Sequence, residues 1–473
     1  MRVLGPSSLW LPAAASFLMC VALLGACSEA APAQNPESSE PEVAPSDPLE
    51  GLEPWSDAWI LAHAPAYLDD VQARRAGLEA SLLNEENLYA RTRLGAYGRG
   101  NAGWDALPEW NPRTAPMSGA RAAAFQRGEG LSLEGLVPMW DGEQPTTWEG
   151  WRQLGRSVFY ELPLRSEPFW EVALRSPERG EELGVERAED GSVPGLVVLR
   201  DIDGRAKVGI TCALCHAARV PGSSTVVEGR GRRTLDYGAL RLAYFEAHGQ
   251  EVDPDVRRRW ESWGPGRADV LEDIVETPIA IPDLYGLRNE RLLTQAGTIR
   301  QRSPMALLAR QETQYIQANH HHTRPPRALV FALAVYLYAL EPPAPRAPVG
   351  APEVRARGAE VFAAECVSCH ENAAGAGDRL IETGMIRTDD ELANGAARGT
   401  GGYRPSPLIR VRDAGPYLHH GAVGTLLSLL SAERLAEDYA DGPAGPGPVL
   451  GHTYGHDLSE SDRLALLAHL TTF

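Results

Sequence analysis

The chain is almost without lysine: Lys207 stands alone among 473 residues, and the acidic side chains outnumber the basic ones by 63 to 45, for a formal charge of −18. Nucleic acid is excluded as a partner by that balance, because phosphates need a basic face. Docking through a ring of lysines is excluded as well, so a macromolecular partner is expected to be basic. Long apolar runs are also missing. The N-terminal stretch with Phe17, Leu18, Val21, Leu23 and Leu24, and a later one from Ala328 to Leu340, are both too short for a comfortable membrane span. Residues 28–54 contain no lysine or arginine, but seven Asp or Glu and six Pro. Such a segment cannot bury enough apolar surface to fold and is expected to be a flexible, negatively charged tether. Cysteine is scarce too, with six in the chain, and four of those fall in two close pairs.

Each pair is followed by histidine. Cys366-Val367-Ser368-Cys369-His370 ends a stretch in which Val354, Gly358, Val361 and Phe362 recur at helical spacing, and Cys212-Ala213-Leu214-Cys215-His216 is a second copy upstream. Cys-x-x-Cys-His is the attachment signature of c-type haem. Two thiols three residues apart can each form a thioether with a haem vinyl group, and the next residue places its imidazole under the iron. A zinc site needs four ligands, and a redox dithiol needs no histidine at that position. Two haem c groups are therefore expected, one on Cys212, Cys215 and His216, the other on Cys366, Cys369 and His370.

The start of the chain sets the compartment. Residues 1–27 read as an export signal, and Leu24-Gly25-Ala26-Cys27 resembles the lipobox of bacterial lipoproteins, with an ordinary cleavable signal as the alternative. Ser28 at the next position resembles lipoproteins sorted to the outer membrane. The expected product is exported and held at the outer membrane, periplasmic or at the cell surface, only through a lipid on Cys27. Cysteine use then closes: Cys20 leaves with the signal, Cys27 is lipidated and the other four hold haem. A body of about 420 residues can build its core without disulfides.

The body repeats. Gly155-Arg156-Ser157-Val158-Phe159 matches Gly358-Ala359-Glu360-Val361-Phe362, but the cysteine follows Phe362 by four residues and Phe159 by fifty-three. The first copy thus carries an insertion at about 163–211. Leu284-x-x-Leu287-Arg288-Asn289 matches Leu408-x-x-Val411-Arg412-Asp413, and Gly297 and Gly421 keep the same offset. Each copy closes with an apolar helix, the first stopping at Pro342-Pro343 and the second starting at an N-cap Ser459. The expected fold is mainly α: two tandem cytochrome c-type haem domains, 148–341 and 353–473, joined by a linker at 342–352. A 55–147 extension with long loops and no chemical motif precedes them, helical from Trp59 to Leu83.

These motifs, together with Pro416-Tyr417-Leu418-His419-His420-Gly421, resemble the bacterial dihaem cytochrome c peroxidase superfamily over about Trp148 to Phe473. Gly402-Tyr403-Arg404 and Gly451-His452-Thr453-Tyr454-Gly455 through Leu458-Ser459 are closer to its rubber-oxygenase-like branch, as is the long region before the first haem. The resemblance implies a mostly helical protein whose haems share electrons, with chemistry at the N-terminal haem and electron supply or storage at the C-terminal one. Substrate does not follow from it.

Sixth ligands are the open point. His452, seven residues before Ser459, is the expected distal ligand of the second haem and would make it bis-His and low-spin. His419 and Met385 are the alternatives. For the first haem the matching place holds Asn319-His320-His321-His322, of which at most one points inward; a polar loop is the other reading. Met305 is a soft candidate that also reads as core. Trp263 either lies between haems or buttresses the turn through Asp269. His63 reads as a surface or packing residue, His248 and His420 as surface, and His456 and His469 as solvated. The function expected is a peroxidase- or oxygenase-like oxidoreductase served by a small-molecule oxidant or a basic redox protein. The alternative is a non-catalytic periplasmic electron carrier.

One covalent consequence can be weighed directly. Intact mass after extraction should exceed that of the signal-processed polypeptide by two haems and a lipid, whereas free thiols or a disulfide among Cys212, Cys215, Cys366 and Cys369 would contradict it.

Overall fold

Glycine decides how closely the first and last helices pack within each half of this chain. The computed structural model describes residues 48–473 except 85–89, 92–104, 221–222, 224, 270–276, 321, 345, 373, 441 and 443–444. The export signal, Cys27 and residues 28–47 of the tether lie outside the described residues; its expected end is corrected, since a turn forms at 48–51 and 51–54 belong to the folded unit. Residues 51–473 form one compact unit. In it the Trp148–Glu161 helix, capped by Thr147, buries Trp151, Gly155, Val158 and Phe159 against the Arg327–Tyr338 helix. The Pro352–Glu365 helix crosses Glu460–Leu470 in the same way, and there Ser459 Oγ accepts from Asp462 N at the cap. A Cβ on Gly155 would lie 1.9 Å from Ala332 O, and one on Gly358 2.0 Å from Ala465 O. Only a residue without a side chain permits that approach, so the repeat seen in sequence is a repeat of packing.

Arg327–Tyr338 is buried along nearly its whole length, which explains its all-round apolar sequence. Among the described residues no helix is long and apolar enough to cross a membrane.

The region before the first Cys-x-x-Cys-His adds a small sheet to the mainly helical fold. Five short strands form one antiparallel sheet in the order Val137–Pro138, Arg113–Pro116, Leu196–Arg200, Ala206–Ile210, Arg165–Ser166. Two strands come from the N-terminal extension and three from the insertion, which therefore fold together. Leu196-Val197-Val198-Leu199 is buried at every position, as a central strand covered on both faces must be. The sheet positions the first cysteine motif. Thr211 N donates to Gly195 O at 2.9 Å, and Gly195 (φ +88°) passes so close that a Cβ would lie 2.0 Å from Leu214 N.

Ahead of the sheet, the stretch from Trp59 to Leu83 is divided among the helices Asp57–Ala62, Ala64–Leu68 and Val71–Ser81, with Asp70 capping the last. His63 sits at the first break as a packing residue, its buried ring donating from Nδ1 to Trp59 O at 2.8 Å. A buried polar network ties this extension to the haem-motif body. Glu312 accepts from Tyr67 Oη at 2.6 Å and faces Arg327 Nε at 3.3 Å, while Arg74 and Arg327 share Asp105.

The crossings give a stability test. Gly155→Ala and Gly358→Ala should each cost about 1–3 kcal/mol, the usual price of overpacking. Gly384→Ala, where an added Cβ meets nothing within 4 Å, should leave the denaturation midpoint of the haem-loaded protein unchanged.

Candidate haem sites

The first motif forms the one-turn helix Cys212–His216, wedged between two parts of the core by the buried Ala213 and Leu214. His216 Nδ1 lies 3.0 Å from Pro282 O. A carbonyl only accepts, so Nδ1 carries the proton and Nε2 keeps its lone pair, the arrangement of a ligating imidazole. Burial pulls the His216 pKa down to about 4, against the opposing pull of the Pro282 hydrogen bond, and the ring is neutral. Burial likewise pushes the Cys212 and Cys215 thiols up to about 11, which removes the thiolate a reactive dithiol would need. From the Pro304–Ala318 helix the buried Tyr315 brings its hydroxyl 4.0 Å from Cys212 Sγ, and Arg310 lies near enough to bias both Cys212 and His216.

In the second motif Cys366 caps the Pro352–Glu365 helix, and His370 Nδ1 donates to Gly375 O at 2.5 Å. Gly375 can turn that carbonyl inward because it adopts φ +68°, with Leu408 packed where a Cβ would be. Burial lowers the His370 pKa, so this imidazole too is neutral. Cys366, Cys369, His370 and the crossing-helix residues Phe362 and Leu466 line one mainly apolar cleft of about 1760 Å³ including its mouth.

His452 lines the same cleft. Its backbone is held rather than its ring. Buried Arg434 donates to Val449 O, to Gly451 O and, at 2.9 Å, to His452 O, while His452 N donates to Ile386 O at 2.7 Å. Gly451 passes 2.3 Å from Thr388 Cα when given a Cβ, and His452 itself has φ +46°. Burial, with the nearby His370 adding to it, takes the His452 pKa down to about 4. Nδ1 is buried without a hydrogen-bond partner among the described residues.

The other sixth-ligand candidates are placed differently. His419 also borders the cleft, but its ring stacks on Tyr403 at 4.1 Å with Nε2 3.1 Å from Tyr403 Oη. Tyr403 gives its only proton to Asp389 O at 2.8 Å, so His419 Nε2 must be the donor and has no lone pair to offer. Met385 is 52% exposed. Met305 packs in the core against Gly77. His320 and His322 are exposed, and His321 lies outside the described residues.

Four further readings are corrected or decided by tertiary contacts. His456 is not solvated but half-buried, with Nε2 3.3 Å from both Arg434 Nη2 and Leu429 O. His469, also read as solvated, lies between Phe362 and Phe473, because the Gly358 crossing brings its helix close. His420 is not a surface residue: Nδ1 accepts from Ala422 N at 3.2 Å, and burial takes its pKa down to about 4. Trp263 is a buttress, wholly buried at the end of the Pro254–Trp263 helix and stacked on Tyr237. His248 is exposed as expected. Pro282, Gly375 and Arg434 escaped sequence reasoning, since they act through carbonyls or on them and every residue carries a carbonyl.

The residues present fit c-type haem at both motifs: paired cysteines, a neutral buried imidazole whose Nδ1 faces a backbone carbonyl, and at the second an apolar cleft with another imidazole in its wall. No family model matches the chain, and no curated protein matches it. Among solved structures, a MauG-like protein associated with microbial copper homeostasis is similar to 44% of this chain and 77% of its own, at 18% identity and a TM-score of 0.31.

Proposed function

We propose that this chain is an exported dihaem c-type cytochrome, lipid-anchored through Cys27 at the outer membrane. It passes electrons between two covalently held haems and carries out peroxidase- or oxygenase-like oxidation at the first. The observation that carries this reading is the asymmetry of two otherwise matching sites. His370 shares its cleft with His452, a pair suited to a closed, six-coordinate centre that stores and delivers electrons. At the first site the other described histidines have contacts or exposure elsewhere, and the groups brought to Cys212 and His216 include Tyr315, Arg233 and Arg310.

Haem iron with an open axial position supplies peroxide or dioxygen activation, and closed haem supplies one-electron transfer. The chain's residues do the rest. His216 and His370 would hold the iron, their tautomers set by Pro282 O and Gly375 O. The Tyr315 hydroxyl, its pKa raised well above the ordinary value by burial, stays protonated and can donate a hydrogen bond. The Arg310 guanidinium favours negative charge developing nearby. Reducing a peroxide to water takes two electrons and two protons, which a basic redox protein and solvent supply against the acidic surface of this chain.

The absorption spectrum of the oxidised protein with and without cyanide tests this reading. A high-spin fraction that converts on adding ligand supports it; two low-spin, unresponsive haems make the protein a carrier. His452→Ala should turn the second haem, half of the total, high-spin and slow electron delivery while the first haem binds ligand as before. If both spectra stay unchanged, the sixth ligand is not His452. His216→Ala should abolish oxidant chemistry, since proximal donation is lost at the reacting iron.

A further inference from the structure

One tripeptide serves both sites. Pro282 O accepts the His216 Nδ1 proton, and Ile281, Pro282 and Asp283 together form part of the wall of the cleft that holds His370 and His452. A single side chain sets its position. Arg233 Nη1 donates to Ile281 O at 2.8 Å and Nη2 to Asp283 Oδ1 at 2.9 Å. The same guanidinium reaches into the second half of the chain, where Nε donates to Gly415 O at 2.8 Å and Nη2 to Ala414 O at 3.1 Å. Asp283 Oδ1 also accepts from Gly231 N at 2.8 Å. Gly231 leaves no slack: a Cβ there would lie 1.8 Å from Arg233 Nη1, 2.3 Å from Ile281 O and 2.9 Å from Pro282 O. The ion pair is largely buried, at 17% and 14% exposure.

We propose that Arg233 is a positioning residue that couples the two haem sites. It holds the Pro282 carbonyl against His216 and fastens that carbonyl to the Ala414–Gly415 loop, so the donor strength of His216 depends on how the second half is packed. The inference rests on the dihaem reading. An imidazole whose Nδ1 proton is firmly hydrogen-bonded is the stronger donor and favours oxidised iron. Slackening the clamp weakens that bond and favours reduced iron at the first site. Lysine cannot replace the clamp, because a point ammonium does not span acceptors lying in several directions around a planar fork.

The test is a potentiometric titration, followed by absorption, of haem-loaded full-length Arg233→Lys, Arg233→Gln and Asp283→Glu, with haem counted in each preparation and the first haem identified by its response to cyanide. Arg233→Lys keeps the cation that acts on His216 and loses the fork, so in it the reduced-to-oxidised ratio of the first haem at a fixed potential should rise roughly two- to tenfold, the worth of one hydrogen bond. Arg233→Gln also removes the cation, which by itself favours oxidised iron, so its ratio should lie below that of Arg233→Lys. Asp283→Glu keeps the charge and displaces the carboxylate from Arg233 and Gly231 N, so it should shift the same haem the same way as Arg233→Lys by less; it decides the matter if the Arg233 variants do not fold. Two haems present with the first midpoint unmoved in the charge-keeping variant, even if the melting temperature falls, overturns the clamp alone and leaves Arg233 a structural staple. Fewer than two haems on the unmodified chain overturns the reading beneath it as well.

Discussion

A neutral imidazole, buried and giving its Nδ1 proton to a backbone carbonyl, is the requirement around which both halves of this chain are arranged. The two halves meet it at very different range. His370 finds its acceptor five residues on, at Gly375, whereas His216 finds its own sixty-six residues away, at Pro282. The second arrangement is local and needs little beyond a left-handed glycine. The first needs the chain to return across the fold and be held there, and this is why Arg233, Asp283 and Gly231 crowd around that carbonyl.

The same difference in range explains the bulk built around the first motif. Its turn is fixed from one side by the sheet through Gly195 and from the other by the Pro304–Ala318 helix. That helix is in turn tied to the N-terminal extension by Glu312, Tyr67 and Arg327. A buried ionic network adds little to stability compared with apolar packing. Here it specifies which helices meet, joining 57–81 to 304–338. The second motif has no such scaffold and relies on the glycine-mediated helix crossing and the Arg434 contacts that hold the His452 backbone.

An unequal pair of sites follows from unequal scaffolding. Where the wall of a cleft is a short loop pinned by backbone contacts, an imidazole at its tip can stay beside the opposite histidine, as His452 does with His370. Where the wall is a long helix, the residues that face inward are those its register allows, and at the first site these are Tyr315 and Arg310. The loop arrangement suits a closed centre, and Ile281–Asp283 forms part of the wall of its cleft while Pro282 O faces His216.

Much of this was legible in the sequence because it rests on short-range geometry. Thiol spacing, the histidine after it, the glycine in each first helix and the serine that caps the last depend only on neighbours three or four residues away, so the two motifs and the matching first and last helices are legible in the sequence. Gly155 and Gly358, which match in the sequence, sit at matching helix contacts. Tertiary structure alone decided what depends on residues far apart: that the insertion pairs with Arg113–Pro116 in a sheet, that His420, His456 and His469 are half-buried, and that His419 is committed to Tyr403 while His452 lines the cleft with His370. It alone also shows which carbonyls orient the two imidazoles. Local sequence encodes which groups a segment offers, but burial and hydrogen-bond partners are set by the segments that fold against it.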